Sequence, residues 1–275
     1  MIALRTATVT DLALVLDWAA EEGWNPGLDD AAAFHAADPD GFFVAARDEA
    51  PVGAISVVNH TSDFAFLGLY IVKPEFRGQG IGCRLWNHGI AHAGARTIGL
   101  DGVPAQQDNY RSSGFEFSSA TTRYSGTLAA RHASGVRLAE EEDIPGLIAL
   151  EAARSGAIKP RYLSAWFRAT EHRKTLVLDS EARDAGFCTV RQCRQGAKIG
   201  PLWAPGREIA DALLHEAVGV FGGTVSLDVP RCSTGLDRLC LALGLGAGFD
   251  TARMYRGPFA PPVSEYFAVT SLELG

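Results

Sequence analysis

Between Leu67 and Leu85 the chain reads LGLYIVKPEFRGQGIGCRL, an apolar run broken first by Pro74 and then by Gly78, Gly80 and Gly82. Proline has no amide donor for a sheet ladder, so Leu67–Val72 predicts a strand that ends before it. After the glycines, Ile81, Leu85, Trp86 and Ile90 recur at helical spacing. A strand that enters a helix through glycines leaves several amide N–H groups free at the helix start, and the helix dipole adds partial positive charge there. Such a turn suits phosphate oxygens, and Arg77 adds a guanidinium able to make a charge-assisted bond. These residue types therefore point to a phosphate-bearing ligand.

Other phosphate loops fit the stretch less well. It lacks G-x-x-x-x-G-K-[ST], and its glycines do not follow the first strand in the G-x-G-x-x-G spacing of a dinucleotide fold. No G-x-S-x-G elbow occurs. His88 and His92 share a helix without an H-E-x-x-H pattern, and Cys188 and Cys193 have no matching histidine pair, so no metal is expected.

Arg77-Gly78-Gln79-Gly80-Ile81-Gly82 matches every fixed position of R/Q-x-x-G-x-G/A and so resembles motif A of the GNAT acyltransferases. The resemblance implies that this loop binds the pyrophosphate of acyl-CoA, with acetyl-CoA the default donor and no metal required. It further implies that the backbone of Ile71 and Val72 pairs with the pantetheine arm, and that the backbone near Leu69–Ile71 stabilises the oxyanion of the reacting thioester. Tyr110-Arg111-Ser112-Ser113-Gly114-Phe115 resembles the family's Y-x-x-x-G-F segment, which makes Tyr110 the acid that protonates the departing thiolate. A phenol with a pKa near 10 can donate at neutral pH. One departure stands out: the family's asparagine seven residues before the tyrosine is Val103 here, and Asn109 is a poor substitute because it is adjacent to Tyr110 on a helix.

The proton lost by an acceptor amine has no obvious destination. Glu22 lies in a Trp/Asn/Pro/Gly segment between two expected helices, where the family commonly places acceptor-binding groups. Asp101 ends a central strand, and both carboxylates are candidate bases. A second class, a non-catalytic CoA- or metabolite-binding sensor or interaction module on the same fold, is also compatible with the loop.

The elements that must position these residues occur twice. Ile2–Ala7 and Val136–Leu138 read as strands, each followed by a helix with an acid in or near its first turn, Asp11 and Asp143. A hairpin at 43–55 recurs at 176–188, with Gly53 matched by Gly186. The strand-end Asp101 is matched by Asp228, and Gly114-Phe115 by Gly248-Phe249. The separations are 132, 133, 127 and 134 residues, in one order, which predicts a duplication. The fold expected is α/β (mixed α+β): two tandem GNAT-like domains, 1–129 and 130–275, each a twisted mixed sheet flanked by helices. The second loop, Gly200–Ala210, keeps only Gly206 as a flexible position and places Glu208 at the helix start, where its charge competes with phosphate. The second half is therefore expected to wall the acceptor pocket rather than bind CoA. Tyr266–Thr270 reads as a strand that would add to a sheet edge.

With 275 residues, 47% of them hydrophobic, the chain has material for two cores. A net charge of −7 argues against nucleic acid or an anionic membrane as a partner, and the start lacks a secretory layout. Five cysteines suit buried thiols in a reducing cytoplasm. The expected partner is a small-molecule amine, and the chain reads equally as a monomer or a homodimer.

Overall fold

A computed structural model describes residues 1–178 and 186–275; Ala185, in the second hairpin of the repeat, lies outside the described residues. The first half runs β1 (Ile2–Thr6), α1 (Val9–Glu21), α2 (Asp30–Ala37), β2 (Phe42–Arg47), β3 (Ala50–Asn59), β4 (Phe64–Val72), α3 (Ile81–Ala93), β5 (Thr97–Gly102), α4 (Gln107–Ser112) and β6 (Glu116–Thr127). The second runs β7 (Val136–Leu138), α5 (Ile144–Ser155), α6 (Pro160–Phe167), β8 (Arg173–Leu178), β9 (Phe187–Gln192), β10 (Ala197–Trp203), α7 (Arg207–Phe221), β11 (Thr224–Pro230), α8 (Thr234–Ala242), β12 (Gly246–Arg256) and β13 (Phe267–Ala268).

The duplication is visible atom by atom. Arg5 grips Asp11 with two bonds of 2.6 and 3.0 Å, and Asp11 caps α1 by accepting from the Thr8 amide at 2.8 Å. Arg137 grips Asp143 at 2.7 and 3.0 Å, and Asp143 accepts from the Glu140 amide at 2.7 Å. Gly53 and Gly186 also correspond. A Cβ on either would press on the helix that packs there, Leu85 of α3 in one half and Ile209 and Leu213 of α7 in the other.

One expected match moves. Gly114 and Gly244 both take positive φ, 84° and 76°, just after α4 and α8, and the amides that follow them bond back to Tyr110 and Cys240. The true partner of Gly114-Phe115 is thus Gly244-Leu245. Gly248-Phe249 instead sits inside β12, where the ladder to β6 shifts register. The second Gly-Phe pair lies four residues beyond the equivalent turn, and Cys240 occupies the position of Tyr110.

The two sheets are continuous. Strand order is β1-β2-β3-β4-β5-β12-β6-β11-β10-β9-β8-β7, because each half gives its last long strand to the other. β12 pairs antiparallel with β5, and β6 pairs antiparallel with β11. The β6–β12 ladder joins the halves at the centre.

The tail departs from the expected edge position. β13 pairs with β10 at Leu202 and Trp203, beyond the point where β10 and β11 stop pairing at Ile199–Leu227, and the Val269 amide bonds to the Asp228 carbonyl. Peptide groups freed by that divergence are what the tail satisfies. It then runs, largely buried, toward the first half. Two glycines let it pass: a Cβ on Gly200 would lie 2.4 Å from the Val269 oxygen, and one on Gly68 would lie 2.0 Å from the Glu273 oxygen. Lys159, buried and bonded to Glu151 at 2.8 Å, donates to the Gly275 oxygen at 2.5 Å. Among the described residues, no helix is long and apolar enough to cross a membrane. Cys188, Cys193 and Cys240 are buried as expected, whereas Cys83 is exposed because it lies on the solvent side of α3.

Candidate active site

β4 and β5 pair in parallel only from Phe64–Thr97 to Leu67–Leu100, and then diverge. β4 bulges at the divergence: its register against β3 shifts between Gly68 and Ile71, and Leu69 adopts φ 46°. A non-glycine residue there carries about 1–2 kcal/mol of strain, which the surrounding packing must hold. Leu69 and Ile71 are buried, and Val72 ends the strand beside the glycine turn.

The turn follows the sequence closely. Gly78 and Gly80 both have φ 75°, with open space where a Cβ would stand. Gly80 caps α3 without a side-chain hydrogen bond, and no acid occupies the first turn. Ile81 anchors the helix in the core, and Gly82 lies against Tyr70, whose hydroxyl would be 2.6 Å from a Cβ. Gln79 donates to the Glu75 carbonyl at 3.1 Å. Arg77 is half exposed, fixed by Nε to the Val72 carbonyl and by Nη2 to Glu22, both at 2.8 Å. Uncapped helix N–H groups, left-handed glycines and a positioned guanidinium fit a pyrophosphate. The second half is different: Gly206 is extended, and Glu208 stands in the first turn of α7.

The gap between β4 and β5 opens into a cleft of about 610 Å³, its mouth included. Leu69, Tyr70, Asp101 and Tyr110 line it from the first half, with Trp24 from the loop after α1. β6 contributes Arg123, β12 contributes Phe249 and Thr251, and the tail contributes Leu272 and Glu273. Tyr110 reaches the cleft because Gly102 leaves room for its ring, with a Cβ there falling 2.9 Å from Cδ2. The ring stacks on Trp86 at 5.7 Å. Burial, and then the neighbouring Tyr70, push its pKa up to about 12, so the phenol holds its proton throughout the neutral range. Val103 lines the cleft near Tyr110, whereas Asn109 donates to Gln106 on the exposed side.

Both carboxylates named from the sequence are held by arginines. Glu22 sits at the C-terminal end of α1 on Arg77, away from the cleft lining. Asp101 takes two bonds from Arg253, 2.8 Å from Nε and 2.7 Å from Nη2. Burial raises its pKa, and the guanidinium opposes the rise. The sequence carried no site role for Arg253, Arg123 or Glu273, and Phe249 entered it only as a repeat marker. A signal for the arginines was present: Arg123 and Arg253 are 130 residues apart, and each lies on a strand facing a repeated aspartate.

A strand bulge at a parallel split, a glycine turn opening a helix and a buried tyrosine across the gap define an acyltransferase of the GNAT class. A family model for the acetyltransferase (GNAT) family matches residues 10–115, and one for an acetyltransferase (GNAT) domain matches 147–267. The holothin acyltransferase of Pseudoalteromonas sp. (strain SANK 73390) is 32% identical over 278 residues, covering 98% of this chain and 94% of that protein. The chain belongs to the GNAT family and is an acyl-CoA-dependent acyltransferase built from two tandem domains. The fold agrees with solved structures. A putative acetyltransferase from Pyrococcus horikoshii aligns over 100% of this chain and 96% of that one, with a TM-score of 0.83 and 21% identity. A tandem GNAT protein from the clavulanic acid biosynthesis pathway aligns over 94% and 100%, with a TM-score of 0.65 and 17% identity.

Proposed function

We propose that the protein is an N-acetyltransferase that moves acetyl from acetyl-CoA to the primary amine of a small molecule. The observation that carries this reading is the single cleft in which the Leu69 bulge, Tyr110 and a partly apolar wall from the second half meet. Residues 1–129 serve as the transferase domain. Residues 130–275 shape the acceptor site, and the tail in the β10–β11 split gives them a second reason, beside Glu208, not to bind CoA.

In this reading Arg77 and the amides from Gly78 to Gly82 hold the pyrophosphate, with Gln79 and Ile81 fixing the turn. The backbone of Ile71 and Val72 orients the pantetheine arm, and the bulge at Leu69 turns an amide toward the developing oxyanion. Tyr110 keeps a proton at its Oη for the departing thiolate. Glu22 sets the Arg77 guanidinium, and Asp101, which lines the cleft, is held by Arg253 behind it. The reaction needs no metal, nucleic acid or membrane, suits the cytoplasm, and is satisfied by a monomer or a homodimer.

Trp24, Phe249 and Leu272 favour an acceptor with an apolar or aromatic body. Holothin, the compound in the relative's name, belongs in the first set assayed. The test follows free thiol released from acetyl-CoA and longer acyl-CoAs against a panel of primary amines. Amine-dependent release with acetyl-CoA supports the reading; release that ignores every amine contradicts it.

A further inference from the structure

The tail brings a carboxylate to the acceptor side of the cleft. Glu273 is 4% exposed, and its main-chain oxygen lies against Gly68 at the mouth of the β4 bulge. Glu273 lines the same cleft as Tyr110 and Leu69, and its Oε2 is buried with no hydrogen-bond partner among the described residues. A carboxylate withdrawn from water normally finds a donor, so an unpartnered one in a residue that lines a cleft marks a place where a ligand supplies it.

The surrounding charges are engaged elsewhere. Arg123 holds Asp228 at 2.7 and 2.9 Å and the Trp24 carbonyl at 3.0 Å, and Lys198 donates to that same carbonyl at 2.8 Å. Arg191 pairs with Asp30, and Asp101 with Arg253. Among the described residues Glu273 forms no ion pair with an arginine or lysine, although Arg123, Arg191 and Lys198 act on it through space. The tail itself is fixed on both sides of it, by Ser271, which accepts from Tyr162 at 3.1 Å, and by the Lys159 bond to Gly275.

We propose that Glu273 is the acceptor-side base: its carboxylate receives the amine N–H and takes that proton as the nitrogen bonds to the acyl carbon. The assignment rests on the amine-acyltransferase reading above. The N–C bond forms, the C–S bond breaks, the amine proton goes to Glu273, and the Tyr110 proton goes to sulfur. Glu273 then releases its proton to solvent and Tyr110 takes one from solvent, so the balance closes without a further reactant. The tail of the second half thereby completes the site of the first.

The full chain and its Glu273→Gln variant are compared with acetyl-CoA and benzylamine, tryptamine or aniline, following thiol release. The amide is isosteric but cannot take the proton. We expect kcat to fall about a hundredfold or more, with the acidic limb of the kcat/KM profile flattened. The melting temperature and the acetyl-CoA-induced thermal shift should match the wild type, because Oε2 has no protein bond to lose. Glu273→Asp, which keeps the charge but shortens the reach, should retain more activity than the amide. Near-wild-type turnover in Glu273→Gln, an unchanged acidic limb, or a lowered melting temperature each overturns the assignment. If the wild type ignores every amine, it is the acceptor reading that fails, and the Glu273 role falls with it.

Discussion

Asp101 and Arg253 form a two-bond ion pair although they lie 152 residues apart and in opposite halves of the chain. Asp228 and Arg123 form its mirror, at 2.7 and 2.9 Å. Each half's strand-end aspartate is thus gripped by the arginine on the strand received from the other half. A partnerless buried carboxylate would be costly, so the exchange of β6 and β12 is built into the electrostatics of the core and the halves are interdependent.

Arg253→Met should cost about 3–5 kcal/mol by leaving Asp101 buried and unpaired. The double variant Asp101→Asn/Arg253→Met should lose less than the sum of its single changes, because it removes both charges. Urea melts of the four proteins measure this coupling directly.

Tyr110→Phe should keep acetyl-CoA affinity and lower kcat about a hundredfold or more. Burial pushes the phenol up to about 12, and a raised pKa means the protonated form persists as pH rises. The wild-type kcat profile should therefore show no alkaline fall attributable to Tyr110 below about pH 10. A limb near pH 9 that vanishes in the variant would show the proton leaving too early for this role.

The tail's passage depends on two glycines. Gly200→Ala places a Cβ against the Val269 oxygen, and Gly68→Ala places one against the Glu273 oxygen. Each should cost about 1–3 kcal/mol by overpacking. Gly68→Ala should also impair turnover, since the contact it breaks adjoins the cleft. Calorimetric melts, together with protease sensitivity near residue 266, report whether the tail has left.

Asp11 is held down to about 2, first by its bond from Arg5. A lowered folded-state pKa gives stability that is complete above the unfolded value near 3.8 and lost as pH falls through about 2. Asp11→Asn should cost about 1 kcal/mol at neutral pH, and the gap should close in that acidic window. Denaturant midpoints across the acid range measure it.

The sequence was most informative where local chemistry decides structure. Pro74 stopped a strand, and alternating glycines opened a helix; Gly78 and Gly80 have the backbone that only such residues take easily. The capping acids Asp11 and Asp143 were legible for the same reason. What stayed hidden is non-local. No period or motif in 246–256 distinguishes a strand that stays home from one paired to β5, and the nearby Gly248-Phe249 supplied a false match. Tyr266–Thr270 was visible as extended chain, but its place in the β10–β11 split depends on Gly200, which the sequence puts at the start of the second loop and the structure puts inside β10. Glu273 carried no sequence signal, because its meaning comes from Gly68, roughly 200 residues away along the chain but in contact with it in the fold.

The most direct test of a single acyl-CoA site in the first half is an isothermal titration of the intact protein with CoA. One site per chain is expected, retained in Gly206→Glu at the start of α7 and abolished in Gly80→Glu at the start of α3, with both variants folded. Two sites per chain, or binding that survives Gly80→Glu and disappears in Gly206→Glu, would contradict it.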